Sequence, residues 1–129
     1  MELTQAILDQ LLAHAKRAHP DECCGILFGQ GEEIASATAV TNVHPAPQTH
    51  FEIDPAALII AYKAERDGGP RIMGFYHSHP NGPPAPSATD SATAAGDGKI
   101  WAIVGDGEIK FWRDTSCGFE PLSQMTVTA

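Results

Sequence analysis

The run Arg71 to His77 constrains the fold most strongly. It alternates as a strand does, with Met73, Phe75 and His77 directed one way and Ile72, Gly74 and Tyr76 the other. Both faces are largely apolar, so this strand is expected at the centre of a sheet covered on both sides. The rest of the chain has to supply those two covering layers.

The first segment is expected to be a helix. Leu3, Ile7, Leu8, Leu11, Leu12 and Ala15 recur at spacings of three and four and form one apolar stripe. Thr4 is placed as its N-cap, with Leu3 and Leu8 as a hydrophobic staple. His19-Pro20 ends it, because a residue before proline is pushed out of the helical region. Cys24 to Phe28 reads as a short strand that turns at Gly29-Gln30-Gly31, and Ile34 to Val43 as its partner. A loop rich in proline and histidine, Asn42 to His50, follows. Asp54 and Pro55 open a second helix as N-cap and first helical residue, with Ile53 and Leu58 again spaced as a staple. That helix runs to about Arg66 and stops at Gly68-Gly69.

Beyond the central strand, the loop Pro80 to Pro86 contains four prolines and is stiff, because proline fixes φ. Ser87 to about Ala95 is a short helix ended by Gly96. Lys99 to Val104 and Glu108 to Trp112 are strands joined by the hairpin signal Gly105-Asp106-Gly107. Asp114 to Ala129 carries no clear pattern. Helices and strands thus alternate along one sheet, which argues an α/β or α+β sandwich. A length of 129 residues matches one ordinary domain, so a single domain over residues 1–129 is expected.

The net charge of -8 repels phosphate backbones, which argues against nucleic acid as a partner. Met1-Glu2-Leu3-Thr4-Gln5 lacks the basic and apolar regions of a signal peptide, and the longest apolar run, Ala56 to Tyr62, is too short to span a bilayer. No membrane association is expected. Three cysteines, two of them adjacent, make a poor disulfide framework and fit a reducing cytoplasm.

The chemistry concentrates in His77-Ser78-His79-Pro80 and Ser87-Ala88-Thr89-Asp90. Histidines two apart at a strand end put both imidazoles on one face. With Asp90 returned by the loop, they make three zinc ligands, the number a catalytic zinc takes while keeping a position open for water. Ser87 with Asp90 three residues later also has the form of a capping box, which alone would explain both residues. The two readings are compatible, since a cap can aim the carboxylate. Cys23 and Cys24 point to opposite faces and read as strand residues rather than a joint metal site. Cys117 is a lone thiol in the unpatterned tail. His14 and His19 lie near the end of the first helix, where cations suit the dipole. His44 and His50 flank the proline-rich loop and read first as surface residues, with a cleft-lining role as the alternative.

The run from His77 to Asp90 resembles the JAMM motif of the JAB/MPN metallopeptidases: His, Ser or Thr, His, Pro, six residues, Ser, two residues, Asp. Pro20 to Gly29 is similar to the family's upstream segment, with Glu22 on its glutamate, and His50-Phe51-Glu52-Ile53-Asp54-Pro55 is similar to a stretch of the small bacterial members. The resemblance covers roughly residues 1–113. It implies an α/β fold with a central mixed β-sheet flanked by helices, akin to cytidine deaminases. It implies one catalytic Zn2+ on His77, His79 and Asp90, with Glu22 as general base and Ser87 as oxyanion donor. From the residues alone, Glu22 reads as a solvated loop carboxylate.

The activity implied is hydrolysis of a peptide or isopeptide bond at the C-terminal tail of a ubiquitin-like or sulfur-carrier protein ending in Gly-Gly. The chain has no room for the long insertions with which larger eukaryotic members select polyubiquitin linkages. The alternative is a non-catalytic JAB/MPN scaffold or interaction module, against which the complete motif argues. A zinc deaminase would need His-x-Glu and Pro-Cys-x-x-Cys segments; this sequence has His-Ser-His and no Cys-x-x-Cys.

Overall fold

In the computed structural model, which describes residues 1–128, Ala129 at the end of the tail lies outside the described residues. The elements are β1 (Glu2–Thr4), α1 (Gln5–Ala18), β2 (Cys24–Gln30), β3 (Glu33–Val40), α2 (Pro55–Arg66), β4 (Arg71–Ser78), α3 (Ala88–Thr93), β5 (Ile100–Gly105), β6 (Glu108–Thr115), β7 (Gly118–Leu122) and β8 (Met125–Val127). The strands form one mixed eight-stranded sheet in the order β7-β6-β5-β4-β2-β3-β1-β8. β4 is internal, parallel to β5 and antiparallel to β2.

The helices start where their caps place them. The Thr4 hydroxyl accepts the Ile7 N–H and the Asp54 carboxylate accepts the Ala56 N–H, so each supplies a partner that the first turn lacks. α1 buries Ile7, Leu8 and Leu11 against Leu27, Met73, Tyr76, Ala102 and Val104. α2 lies over the opposite face, where Ala61 packs with Ile26, Ile72 and Phe75. Ile26 and Leu27 are adjacent in β2 and join different clusters, so the two helices cover the two faces of one sheet, and the fold is α/β. Each fully buried side chain such as Leu11 or Leu27 contributes about 1.5–3 kcal/mol of burial.

Several expectations need correction. β2 continues through Gly29 to Gln30, and the turn comes one glycine later, at Gly31 with φ +58. β3 ends at Val40 rather than Val43. The alternation along β4 breaks near its start. Leu27 pairs with Gly74 but Phe28 pairs with Ile72, so Met73 is the extra residue of a β-bulge. The bulge turns Met73 to the α1 side with Tyr76 and leaves Ile72 with Phe75 on the α2 side. α3 ends at Thr93 with Ala94 already extended. β1, β7 and β8 lie where no strand was expected. β1 and β8 have three residues each, too few to show a period, and β7 contains Pro121, which an edge strand tolerates. Cys117 lies in the β6–β7 turn, exposed.

Among the described residues no helix is long and apolar enough to cross a membrane. Gly74 is required by close approach: a Cβ there would run into the Ile100 backbone of neighbouring β5. Gly74→Ala is therefore expected to lower stability by about 1–3 kcal/mol. Urea unfolding would show this as a lower midpoint, and an unchanged midpoint would mean that β4 and β5 can separate without cost.

Candidate metal centre

β4 ends in the sheet interior and delivers His77 and Ser78 there, both buried, with His79 just beyond. The Ser78 hydroxyl accepts the Cys23 N–H at 2.8 Å, and the Ser78 N–H donates to the Cys23 carbonyl at 3.1 Å. These two bonds fasten the end of β4 to the residue after Glu22. The His79 N–H donates to the Val104 carbonyl at 2.7 Å, which ties the next residue to β5.

The imidazoles are oriented from both sides. Phe51 stacks on His77 with ring centroids 4.2 Å apart, and Trp101 meets it edge-on at 5.6 Å. His79 Nδ1 lies 2.8 Å from the Pro83 carbonyl, which can only accept, so Nδ1 carries the hydrogen and Nε2 of the neutral ring presents a lone pair. That Nε2 is 3.1 Å from His77 Nε2 and 3.0 Å from Asp90 Oδ2, while His77 Nε2 is 3.2 Å from the same oxygen.

Asp90 reaches this point because of its helix cap. The Ser87 hydroxyl accepts the Asp90 N–H at 3.0 Å, and Asp90 Oδ2 accepts the Ser87 N–H at 2.9 Å. The capping box and the convergence on the histidines coexist in one side chain.

This donor set fits a divalent cation. Two imidazole nitrogens and a carboxylate oxygen are the ligand types zinc takes, and donors on a tetrahedral zinc stand about 3.3 Å apart. The lone pairs of His79 Nε2 and Asp90 Oδ2 face each other, and a proton on His77 cannot satisfy both. A cation among the three atoms satisfies all of them. Among the described residues this is the group of His, Cys, Asp and Glu with ligand atoms within 4.8 Å of one another. Glu22, Cys23 and Cys24 do not belong to it, and both cysteines are buried free thiols.

Glu22 lies in the connection between α1 and β2, only 7% exposed rather than solvated. Burial, with the Asp90 carboxylate adding to it and His79 opposing, pushes its carboxyl up to about 7. Its backbone is fixed by the proline-rich loop: the Glu22 N–H donates to Pro47, and its carbonyl accepts from Asn42 Nδ2. Asn42 is a residue that sequence reasoning passed over. Its Nδ2 also donates to His50, and its Oδ1 accepts from the N–H groups of His44 and Glu52, so one side chain closes the loop. Only its polar character inside a proline-rich loop could have signalled this.

His44 and His50 stack at 4.6 Å and line a small recess together with Glu22, Phe51 and Asp90, so the cleft-lining role replaces the surface role. His14 bonds Tyr76 Oη at 2.7 Å across the core face, a partner the dipole reading did not foresee. His19 is the C-cap of α1. Glu22, His79, Ser87 and Thr89 share a cleft of about 400 Å³ walled by Pro80, Pro83 and Pro86. Ser87 is at its exposed rim.

An α/β sheet whose central strand carries a buried His77 and a partly exposed His79 to a capped aspartate, beside a buried glutamate, has the form of a hydrolase metal centre. Residues 4–115 match the family described as prokaryotic homologs of the JAB domain, and the chain belongs to that family. It is 34% identical over 122 residues to the desampylase of Haloferax volcanii, covering 89% of this chain and 88% of that one. It is 33% identical over 100 residues to the CysO-cysteine peptidase of Mycobacterium tuberculosis, covering 76% and 68%. The solution structure of a protein from Desulfitobacterium hafniense superposes with a TM-score of 0.85 at 28% identity, covering 99% of this chain and 93% of that one.

Proton competition gives a test of the cluster. Burial alone would lower the His79 imidazole, but the hydrogen bonds to Asp90 and Pro83 and the charges of Asp90 and Glu22 outweigh it and hold it above its ordinary 6.5. Burial dominates at His77 and holds it down. His79 is thus the first to protonate as pH falls, and a protonated Nε2 cannot ligate. Metal affinity is expected to be full at about pH 8 and to weaken by about tenfold or more near pH 6, with proton release on binding. Equal affinity at both values in a calorimetric titration would exclude His79 from the ligand set.

Proposed function

We propose that this chain is a zinc-dependent peptidase that cleaves a peptide or isopeptide bond at the C-terminal tail of a ubiquitin-fold protein. The observation that carries the reading is the convergence of His77 Nε2, His79 Nε2 and Asp90 Oδ2, with a buried Glu22 that lines both the cleft bordered by His79 and the recess bordered by Asp90. His77, His79 and Asp90 would hold one Zn2+, which when bound would supply an activated water and polarisation of the substrate carbonyl.

Glu22 is the general base. A carboxyl at about 7 is poised to take a proton near neutrality and to return it to the leaving amine. A cation at the cluster favours its ionised form, so the base is ready when the site is loaded. Ser87 accepts the Asp90 N–H through its oxygen and keeps its own O–H free to donate at the rim of the cleft, where an oxyanion develops during acyl transfer. The proline walls keep the cleft open without side chains that would have to move.

The substrate class rests on the family resemblance and on relatives whose names describe a desampylase and a CysO-cysteine peptidase. A Gly-Gly tail is the portion presented to the cleft. The acidic surface, net -8, disfavours nucleic acid, and the three free thiols fit the cytoplasm.

A ubiquitin-fold protein extended by one residue after Gly-Gly tests this, with product followed by mass spectrometry. Wild type is expected to release the residue, and Glu22→Gln to bind zinc normally while losing about 10²–10⁴ in rate. His79→Ala is expected to lose zinc at neutral pH, because two ligands hold it poorly. Loss of zinc in Glu22→Gln would make Glu22 a ligand rather than the base, and cleavage at the wild-type rate would remove it from catalysis.

A further inference from the structure

We propose that Asp114, at the end of β6, is a positioning residue for Asp90: its buried carboxylate holds the C-terminal end of α3 to the sheet and so fixes the ligand this helix carries. The inference rests on the metal reading above.

α3 has little else to hold it. It spans six residues, under two turns, and a helix so short has no stability of its own in water. It also lacks an apolar face, since Asp90 is its one buried residue. The capping box fixes its first turn. Beyond its last residue, Thr93, the chain is taken up by Asp114. Asp114 Oδ2 accepts the Ala95 N–H at 3.0 Å, and the Gly96 N–H is shared between Oδ1 and Oδ2 at 3.1 Å each.

The clamp is itself anchored. The Asp114 N–H donates to Lys99 at 2.9 Å, and its carbonyl accepts from Gly98 at 2.7 Å. Asp114 also pairs with Phe119 of β7, and its side chain is buried, with the residue 1% exposed. It forms no ion pair among the described residues, so backbone N–H groups balance its charge, and such charge-assisted bonds are strong in a dry setting. Gly96, at φ +66, passes beneath Thr115 and Ser116 and lets the chain turn back to β5 from this clamp.

Without the clamp, α3 is held at one end only. Asp90 then spends part of its time away from the histidines, and the apparent metal affinity falls by the fraction of time it is absent. Asp114→Asn is the informative change. It keeps the shape but replaces an acceptor oxygen with an NH2 group that opposes the Ala95 and Gly96 N–H groups.

The test is calorimetric titration of wild type and Asp114→Asn with zinc, with cobalt(II) loading to read ligand geometry by visible absorption. The variant's zinc dissociation constant is expected to rise about 10–100-fold, and its cobalt spectrum to lose the wild-type shape. Wild-type zinc affinity and spectrum in Asp114→Asn would overturn the proposal and leave the metal centre standing. Failure of wild type to bind zinc would remove the metal centre and the proposal with it. Hydrogen exchange on the wild type needs no variant: coupling is reciprocal, so zinc must slow exchange of the Ala95 and Gly96 amides. Exchange unchanged by zinc at both amides would overturn the proposal even if Asp114→Asn did not fold.

Discussion

One carboxylate oxygen joins the local chemistry of a helix to the chemistry of the cleft. Asp90 Oδ2 accepts the Ser87 N–H at 2.9 Å and stands 3.0 Å from His79 Nε2. The first contact is a helix cap and would exist in any short helix with this sequence. The second depends on where β4 ends. Because both fall on the same atom, the position of α3 and the geometry of the histidines are set together. A shift in either would part the buried carboxylate from its cap or from the histidines, and a buried charge left without partners costs several kcal/mol.

The scaffold around that atom is stiff for identifiable reasons. β4 is buried between α1 and α2 and paired on both edges, so His77 cannot move without the sheet. The loop after His79 is held at three points: by its prolines, by the Trp112 indole N–H donating to the Pro84 carbonyl, and by Gly105. A Cβ at Gly105 would strike the backbone of Gly82, Pro83 and Pro84. That packing keeps the Pro83 carbonyl where it selects the His79 tautomer. Glu22 is held from the other side by Asn42. The groups of the proposed site thus come from three segments: the α1–β2 connection with Glu22, the end of β4 with His77 and His79, and the start of α3 with Ser87 and Asp90.

The sequence was most legible where chemistry is local. Thr4, Asp54 and Ser87 cap their helices because capping depends on residues two or three apart. His77, His79 and Asp90 meet because strand period and cap geometry are short-range rules as well. What stayed hidden is long-range or too short to carry a period. The β-bulge at Met73 depends on register with β2 and leaves no mark in β4 itself. β1 and β8 pair with each other across nearly the whole chain length, and three residues show no alternation. Asn42 and Asp114 bind backbone far from themselves, so their residue types pointed to loops and not to partners. Glu22 read as solvated because its burial is created by the loop that Asn42 closes.

The charge pattern supports the same account. The chain is acidic overall, yet the cluster concentrates neutral imidazoles against one carboxylate that is held ionised. Burial alone would raise Asp90, but its interactions with His77 and His79 and the bond from the Ser87 N–H outweigh it and keep its carboxyl well below the usual range. A nearly dry pocket with one net negative charge and two lone-pair donors is matched by a divalent cation. The most direct measurement is zinc content by elemental analysis of the protein purified without added metal. The account predicts close to one zinc per chain, removed by a chelator and restored on dialysis against zinc. Protein with no zinc, and none taken up on dialysis, would contradict it, because the three donors would then be assembled for something other than a metal.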